Sequence, residues 1–241
     1  MPRLDNLWIS FGGEKSTDKN LKILSMPNRI AAAERGNAAD VLGRDGDLWI
    51  SDNSRKPIAM PVEMRMKRGA SRTEVANWLR GGGLLVLGDD PDYFYRARVN
   101  GDAEFFRFVR NGEIWDVVNV EFSCQPFKYS FEGAEPLPDI TSPALIENPG
   151  NVPSKPMITI YGSGDINLLV DEYSILASDV DGYITIDTDA MMAFKDSQNM
   201  STKATIVNDE DLWPEMKPGT NMINWSGTVS KIVITPYWRW R

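Results

Sequence analysis

Two domains built mainly of β-strands are what this chain predicts, and three features of its sequence carry that expectation. Residues 58–67 alternate strictly, with Ile58, Met60, Val62, Met64 and Met66 on one parity and Ala59, Pro61, Glu63, Arg65 and Lys67 on the other. That is the period-two pattern of a strand with one buried and one wet face. From residue 157 onward, turn signals recur about every ten residues (Gly162-Ser163-Gly164, Asp181-Gly182, Lys217-Pro218-Gly219), the spacing of a β-sandwich. Between these regions lies a proline-rich crossing of little periodicity: Glu135-Pro136-Leu137-Pro138, Ser142-Pro143, Asn148-Pro149-Gly150-Asn151 and Val152-Pro153. It places a domain boundary near residue 140 and predicts domains 1–140 and 141–241.

The start, Met1-Pro2-Arg3-Leu4-Asp5, lacks the apolar core and small-residue cleavage site of a signal peptide. Leu7, Ile9 and Phe11 alternate with polar partners and predict a strand stopped at Gly12-Gly13. A polar segment (14–20) precedes apolar stretches at 21–24 and 29–33. Glu34-Arg35-Gly36-Asn37 reads as the tip of a hairpin. Arg44-Asp45-Gly46 reads as a tight turn before a short strand, Leu48-Trp49-Ile50. Within 58–67, Pro61 calls for a sheet edge or a bulge, because proline cannot donate to a ladder. The methionines there offer an adaptable contact surface, though filling core gaps is their commoner use.

One helix is expected, over 72–80. Ser71-Arg72-Thr73-Glu74 has the form of a capping box, in which the serine oxygen takes a free amide of the first turn, worth about 1 kcal/mol. Val75, Trp78 and Leu79 form one narrow apolar stripe, and Gly81-Gly82-Gly83 supplies a terminator able to take positive φ. A strand at 84–87, a turn at Gly88-Asp89-Asp90-Pro91 and the alternating Tyr93, Tyr95, Ala97 and Val99 follow. A hairpin turn near Asn111-Gly112 leads into a long strand, with Val118, Val120, Phe122 and Cys124 on one face and Pro126 as its stop. Beyond the crossing, short strands are expected at 157–161, 166–170, 173–176, 183–186, 190–194 and 205–207.

The balance of 26 basic against 34 acidic residues leaves a net charge of −8, which argues against a protein that grips nucleic-acid phosphates. Acidity suits a wall that DNA passes without sticking, although most acidic proteins have no such task. The single cysteine, Cys124, rules out a disulfide within the chain and reads as a small buried hydrophobe. Apolar runs fall far short of the ~20 residues needed to span a bilayer. Synthesis and folding in the cytoplasm are expected.

There is no histidine, which excludes Ser-His-Asp and Cys-His mechanisms and the common zinc sites. A carboxylate-only glycosidase needs two acids across a cleft, and Asp165, Asp171, Glu172, Asp179, Asp181, Asp187 and Asp189 are available. Asp179 and Asp181 stand beside Gly182, where turn geometry alone explains them, and nothing near sets one acid apart from another. Asp179-Val180-Asp181-Gly182 fails as a calcium loop because position twelve is Ala190 and not glutamate; a solvated hairpin tip is the better reading. Gly81-Gly82-Gly83 follows a helix, where a phosphate-binding loop precedes one. No catalytic, metal or cofactor-binding residue is assigned. Trp213, Trp225, Trp238 and Trp240 with Tyr237 crowd the C-terminus. Trp225, Trp238 and Trp240 are candidates for a sugar-stacking face in a carbohydrate-binding adhesin module, against burial in a core or interface.

The order of features over residues 71–127 resembles the distal tail protein (Dit) family of long-tailed bacteriophages: a capped helix ending Trp-Leu, a glycine turn, LGDDPDYFYRARV, a hairpin, then VEFSCQPFKY. Asn148-Pro149-Gly150-Asn151 with Lys155-Pro156, and LWPEMKPGTNMINWSG followed by VSKIVITPYWRW, are similar to the entry and end of that family's second domain. The resemblance implies an N-terminal β-sandwich-like domain with one helix and a C-terminal galectin-like jelly-roll sandwich. It implies a homo-hexameric ring at the virion tail tip, stacked on the tail tube protein. The ring would carry receptor-binding or fibre proteins and the tail-associated lysin, with DNA only in transit and no membrane. A hairpin from residues 20–39 is expected to lie on the neighbouring subunit. Galectin-like domains of this family often lack a working sugar site.

Overall fold

The structure is a computed structural model, which describes residues 7–207 and 213–241. Residues 1–6, on which the signal-peptide reading rests, lie outside the described residues, as does Leu212 at the head of the LWPEMKPG segment. The chain divides into two compact units, the first ending at Lys128 and the second running Tyr129–Trp240. This division comes before residue 140. By then the crossing is already part of the second unit: the Leu137 amide donates to the Ile234 carbonyl at 2.8 Å, and Ile140 exchanges backbone hydrogen bonds with Ile232 at 2.9 and 2.8 Å.

The first unit holds β1 (Ile9–Phe11), β2 (Glu14–Lys15), β3 (Leu21–Ser25), β4 (Glu34–Ala39), β5 (Leu48–Arg55), β6 (Ile58–Met66) and α1 (Arg72–Trp78). Then come β7 (Gly82–Leu87), β8 (Tyr93–Val99), β9 (Glu104–Arg110) and β10 (Glu113–Ser130). Its main sheet runs β2-β1-β7-β8-β10-β6-β3, with β9 also paired to β10. The two strongest alternations in the sequence meet at its centre. β6 pairs antiparallel with β10 from Met66 opposite Asp116 to Ile58 opposite Cys124. Opposed residues share a face, so Met60, Val62 and Met64 join Val118, Val120 and Phe122 in one buried core. Phe11 packs on Phe122 there at 5.0 Å between ring centroids. The methionines of β6 fill this core and offer no contact surface. Pro61 lies beyond the reach of β3, whose pairing with β6 stops at Ser25 opposite Glu63, so the strand is an edge where the proline needs one.

α1 begins as its sequence dictates, Ser71 Oγ accepting from the Glu74 amide at 3.4 Å. Val75 and Leu79 are buried, and the Trp78 indole donates to the Phe11 carbonyl at 3.0 Å. The helix ends at Trp78, short of residue 80. Gly81 alone of the three glycines takes positive φ, at 71°, while Gly82 and Gly83 open β7. Asn111 and Gly112 both have positive φ, 52° and 76°, the two-residue turn expected there.

The second unit holds α2 (Phe131–Ala134), β11 (Ala144–Asn148), β12 (Met157–Val170), β13 (Tyr173–Asp187), β14 (Met192–Lys195), β15 (Gln198–Asn199), β16 (Ala204–Val207), β17 (Gly219–Thr235) and β18 (Arg239–Trp240). Its sheet runs β11-β17-β12-β13-β14-β15, with β16 paired to β13. As in the first unit, a curled antiparallel sheet closes on a core of its own, and the fold class is mainly β. The single-turn helix α2, capped by Ser130 Oγ accepting from the Gly133 amide at 3.0 Å, has no counterpart in the sequence reading.

Two supposed turns prove to be bends inside long strands. Gly162-Ser163-Gly164 and Asp181-Gly182 face each other across the β12–β13 ladder, and the register shifts between Gly164 and Ile166. Such a bulge bends a sheet without ending its strands. Glycine is required at the bend: a Cβ on Gly162 would stand 2.3 Å from the Thr228 carbonyl oxygen of β17. The short strands expected at 157–161 and 166–170 are therefore one strand, as are those at 173–176 and 183–186. Likewise Glu34-Arg35-Gly36-Asn37 is not a hairpin tip but lies in β4, paired with β5, and a Cβ on Gly36 would come within 2.7 Å of the Trp49 indole. The tip is 40–47, where Gly43 and Gly46 supply the positive φ and the Arg44 amide donates to the Val41 carbonyl at 3.1 Å.

Candidate interaction surface

β4 and β5 pair only with each other among the described residues, forming a two-stranded ladder apart from the main sheet. Its base is held. Ala32 is buried in the core of the first unit, and the Lys56 amide donates to the Ala33 carbonyl at 2.8 Å. Just before it, the Arg29 guanidinium reaches Asp89 at 2.9 Å and Asp90 at 3.2 Å. Beyond the base the ladder is bare. Trp49 is 54% and Ile50 56% exposed on opposite faces, Leu48 is exposed, and Val41 and Leu42 stand in solvent at the tip. Such a hairpin is marginal in water by itself, and it leaves apolar residues exposed on both faces. Polar bonds define its shape: the Ser51 hydroxyl donates to Glu34, and Asp52 accepts from the Ser54 amide at 2.9 Å and hydroxyl at 2.7 Å, which holds the Asp52 carboxyl below its ordinary range. The segment 20–39, expected to lie on a neighbouring subunit, coincides only in part with this ladder. Its first part, β3, belongs to the main sheet, and the exposed apolar residues lie farther on, at 41–50.

A second feature of the first unit runs against the chain's acidity. Lys22, Arg65, Lys67 and Arg68 line a cavity of about 560 Å³ with Met66, Ile114 and Asp116. The exposed pair Val109 (70%) and Ile114 (63%), directly opposed on β9 and β10, gives it an apolar lip. Arg65 lies 3.8 Å over the Trp115 ring. Asp116 is claimed by Arg107 at 2.8 Å and Arg72 at 2.7 Å, which pull its pKa down to about 2. Neither that acid nor Glu113, 3.4 Å from Arg65, reaches Lys67 or Arg68 in an ion pair.

The residues that sequence singled out for other chemistry are placed elsewhere. Trp238 is buried at 4%, and Trp225 and Trp240 pack partly buried against the same core of the second unit. Asp179 and Asp181 sit at the β12–β13 bend, not at a hairpin tip. Cations of the protein itself occupy their carbonyls: Lys203 donates to the Asp179 oxygen at 3.1 Å and Lys195 to that of Asp181. Asp165 accepts from the Asp179 amide at 3.0 Å, and Asp187 caps the next turn through the amides of Asp189 and Ala190. Asp171 accepts from the Met222 amide, and Glu172 from Lys217. The carboxylates of Asp165, Asp171, Glu172 and Asp187 are thus committed to backbone amides or lysine. Among the described residues no cluster of three potential metal ligands occurs. Cys124 is buried in the core, and burial pushes its thiol up to about 12. No helix among the described residues is long and apolar enough to cross a membrane.

No protein-family model matches the sequence, and no curated protein matches it. A solved structure does. The Dit protein of phage SPP1 (gp 19.1), described as a paradigm of hub adsorption apparatus in Gram-positive-infecting phages, superposes with a TM-score of 0.68. The match covers 95% of this chain and 97% of that one at 15% sequence identity. Over nearly its whole length, the chain has a fold similar to that of a phage tail hub protein.

Proposed function

We propose that this chain is a structural protein of a phage tail tip, a member of the distal tail protein family. Copies close head-to-tail into a hexameric ring stacked on the tail tube protein. The ring is the hub to which tail-associated lysin and receptor-binding or fibre proteins attach, and its central channel passes DNA. The first unit builds the ring. The second, a galectin-like sandwich, presents docking surface to the accessory proteins. Assembly takes place in the host cytoplasm, and the finished protein resides in the virion.

The observation that carries this reading is the bare β4–β5 ladder on a chain of Dit-like fold. A head-to-tail contact buries a protrusion of one copy on a different surface of the next, and it must close on itself. A lasting contact of that kind buries more than about 1,000 Å², and the arm supplies apolar area that the monomer leaves wet. The net charge of −8 suits a channel that DNA passes without sticking. Catalysis has no part in this reading. Negative-stain micrographs of the purified protein are expected to show hexameric annuli with a central hole. Monomers alone at high concentration, by light scattering and in micrographs, would refute the proposal.

A further inference from the structure

The chain holds two Asn-Gly pairs, Asn100-Gly101 and Asn111-Gly112, and both are exposed. An asparagine followed by glycine is open to attack on its own side chain, because a glycine without Cβ leaves its backbone nitrogen unshielded. The fold treats the two pairs differently. At Asn100 the backbone amide donates to the Glu121 carbonyl at 2.8 Å, and the carboxamide donates to the Glu121 carboxylate at 2.6 Å. The side chain is thus tethered through the nitrogen that would have to leave, and a carboxylate beside it opposes the negative charge of a tetrahedral intermediate. Asn111 has no such tether: its side chain makes no hydrogen bond among the described residues. The strand partners that close its turn are the flanking Arg110 and Glu113, so the Gly112 amide takes no part in the ladder. Val109 and Ile114 beside them are exposed as well, and little packing restrains the tip.

We infer that Asn111 is a site of spontaneous deamidation in the folded protein, and that Asn100, identical in its dipeptide, is protected by Glu121. The Gly112 nitrogen, giving its proton to solvent base, bonds to Cγ of Asn111. The bond from Cγ to the side-chain nitrogen breaks, and that nitrogen leaves as ammonia. The cyclic imide takes up one water; opening at one carbonyl gives aspartate and at the other isoaspartate. Water is the only co-reactant, and nothing is oxidised or reduced. Either product adds a carboxylate between Arg110 and Glu113. Aspartate tolerates the positive φ of 52° that Asn111 holds, so that product keeps the turn. Isoaspartate lengthens the backbone by a methylene and disturbs it.

The test is peptide mass spectrometry of the purified full chain aged in mildly alkaline buffer. The same chain aged in guanidinium chloride serves as reference, and ageing continues until the reference has converted at both pairs. A hydrogen bond to a charged group is strong enough to slow conversion about tenfold. In the native protein the Asn111 peptide should therefore gain the one dalton of an amide turned acid about tenfold faster than the Asn100 peptide. In denaturant, where the tether is gone, the two rates should converge. Glu121→Ala, which removes the tether and leaves the tip alone, should raise the native rate at Asn100 towards that at Asn111. Asn111→Gln, whose longer side chain closes the ring reluctantly, should abolish the gain at the tip. Equal native rates, or an Asn111 peptide unchanged when the reference has converted, would overturn the site. A native Asn100 rate that Glu121→Ala does not raise would overturn the protection.

Discussion

Asp116 shows how a single side chain ties the first unit together. It bridges Arg107 on the paired strand β9 and Arg72 at the start of α1, and these guanidiniums hold its carboxyl down to about 2 from an ordinary 3.8. A depressed folded-state value means that the stabilisation is present above 3.8 and is lost as pH falls through that value towards 2. The difference in urea midpoint between the wild type and Asp116→Asn should therefore be larger at about pH 6 than at about pH 2, and should shrink in high salt because the pair is exposed. Gly162 tests steric fit in the second unit. Gly162→Ala forces a methyl to within 2.3 Å of the Thr228 oxygen, and overpacking of this kind costs about 1–3 kcal/mol, readable in chemical denaturation. Cys124 should fail to react with an aromatic disulfide reagent in the native protein and react fully in denaturant, since burial keeps its thiol protonated.

Among the elements, the helix and the arm behave in opposite ways. α1 is anchored by Val75, Leu79 and the Trp78 indole, so its cap adds to structure already held in place. Ser71→Ala should lower the stability of the first unit by about 1 kcal/mol and leave assembly unchanged. The β4–β5 arm contributes little to its own unit's core, since its large apolar side chains are exposed. Replacing Leu48, Trp49 and Ile50 together by serine should leave the thermal midpoint of a monomeric fraction nearly unchanged and abolish rings in micrographs. A large fall in the midpoint would mean that the arm folds back on its own subunit.

In the whole molecule, two cores with no shared cluster residue, one built on β6 and β10 and the other on β12, β13 and β17, divide the labour. Each has its own bent antiparallel sheet, so a substitution in one core should leave the other's packing intact. A fold can persist at 15% identity because a core asks for apolar volume at given positions and not for particular side chains. What the first unit leaves uncovered is the β4–β5 arm, with Trp49 and Ile50 more than half exposed.

Sequence alone determined the local periodicities. The alternation at 58–66 and 118–124, the cap at Ser71, the Asn111-Gly112 turn and the burial of Cys124 all follow from patterns within a few residues. The absence of histidine likewise limits the chemistry without any structure. Tertiary structure decided what depends on distant neighbours. Gly162-Ser163-Gly164 and Asp181-Gly182 look like chain reversals, and only their position opposite each other in the β12–β13 ladder makes them a bend in continuous strands. Gly36 looks like a hairpin tip until its pairing with Ser51 of β5 is seen. The same holds for the surface: Trp49 and Ile50 read as an ordinary short strand, and the tryptophans of the C-terminus as either a sugar-stacking face or a buried cluster. Exposure is not a property of a residue's neighbours in sequence but of what the fold brings against it. The fold brings a core against Trp238 and leaves Ile50 more than half exposed.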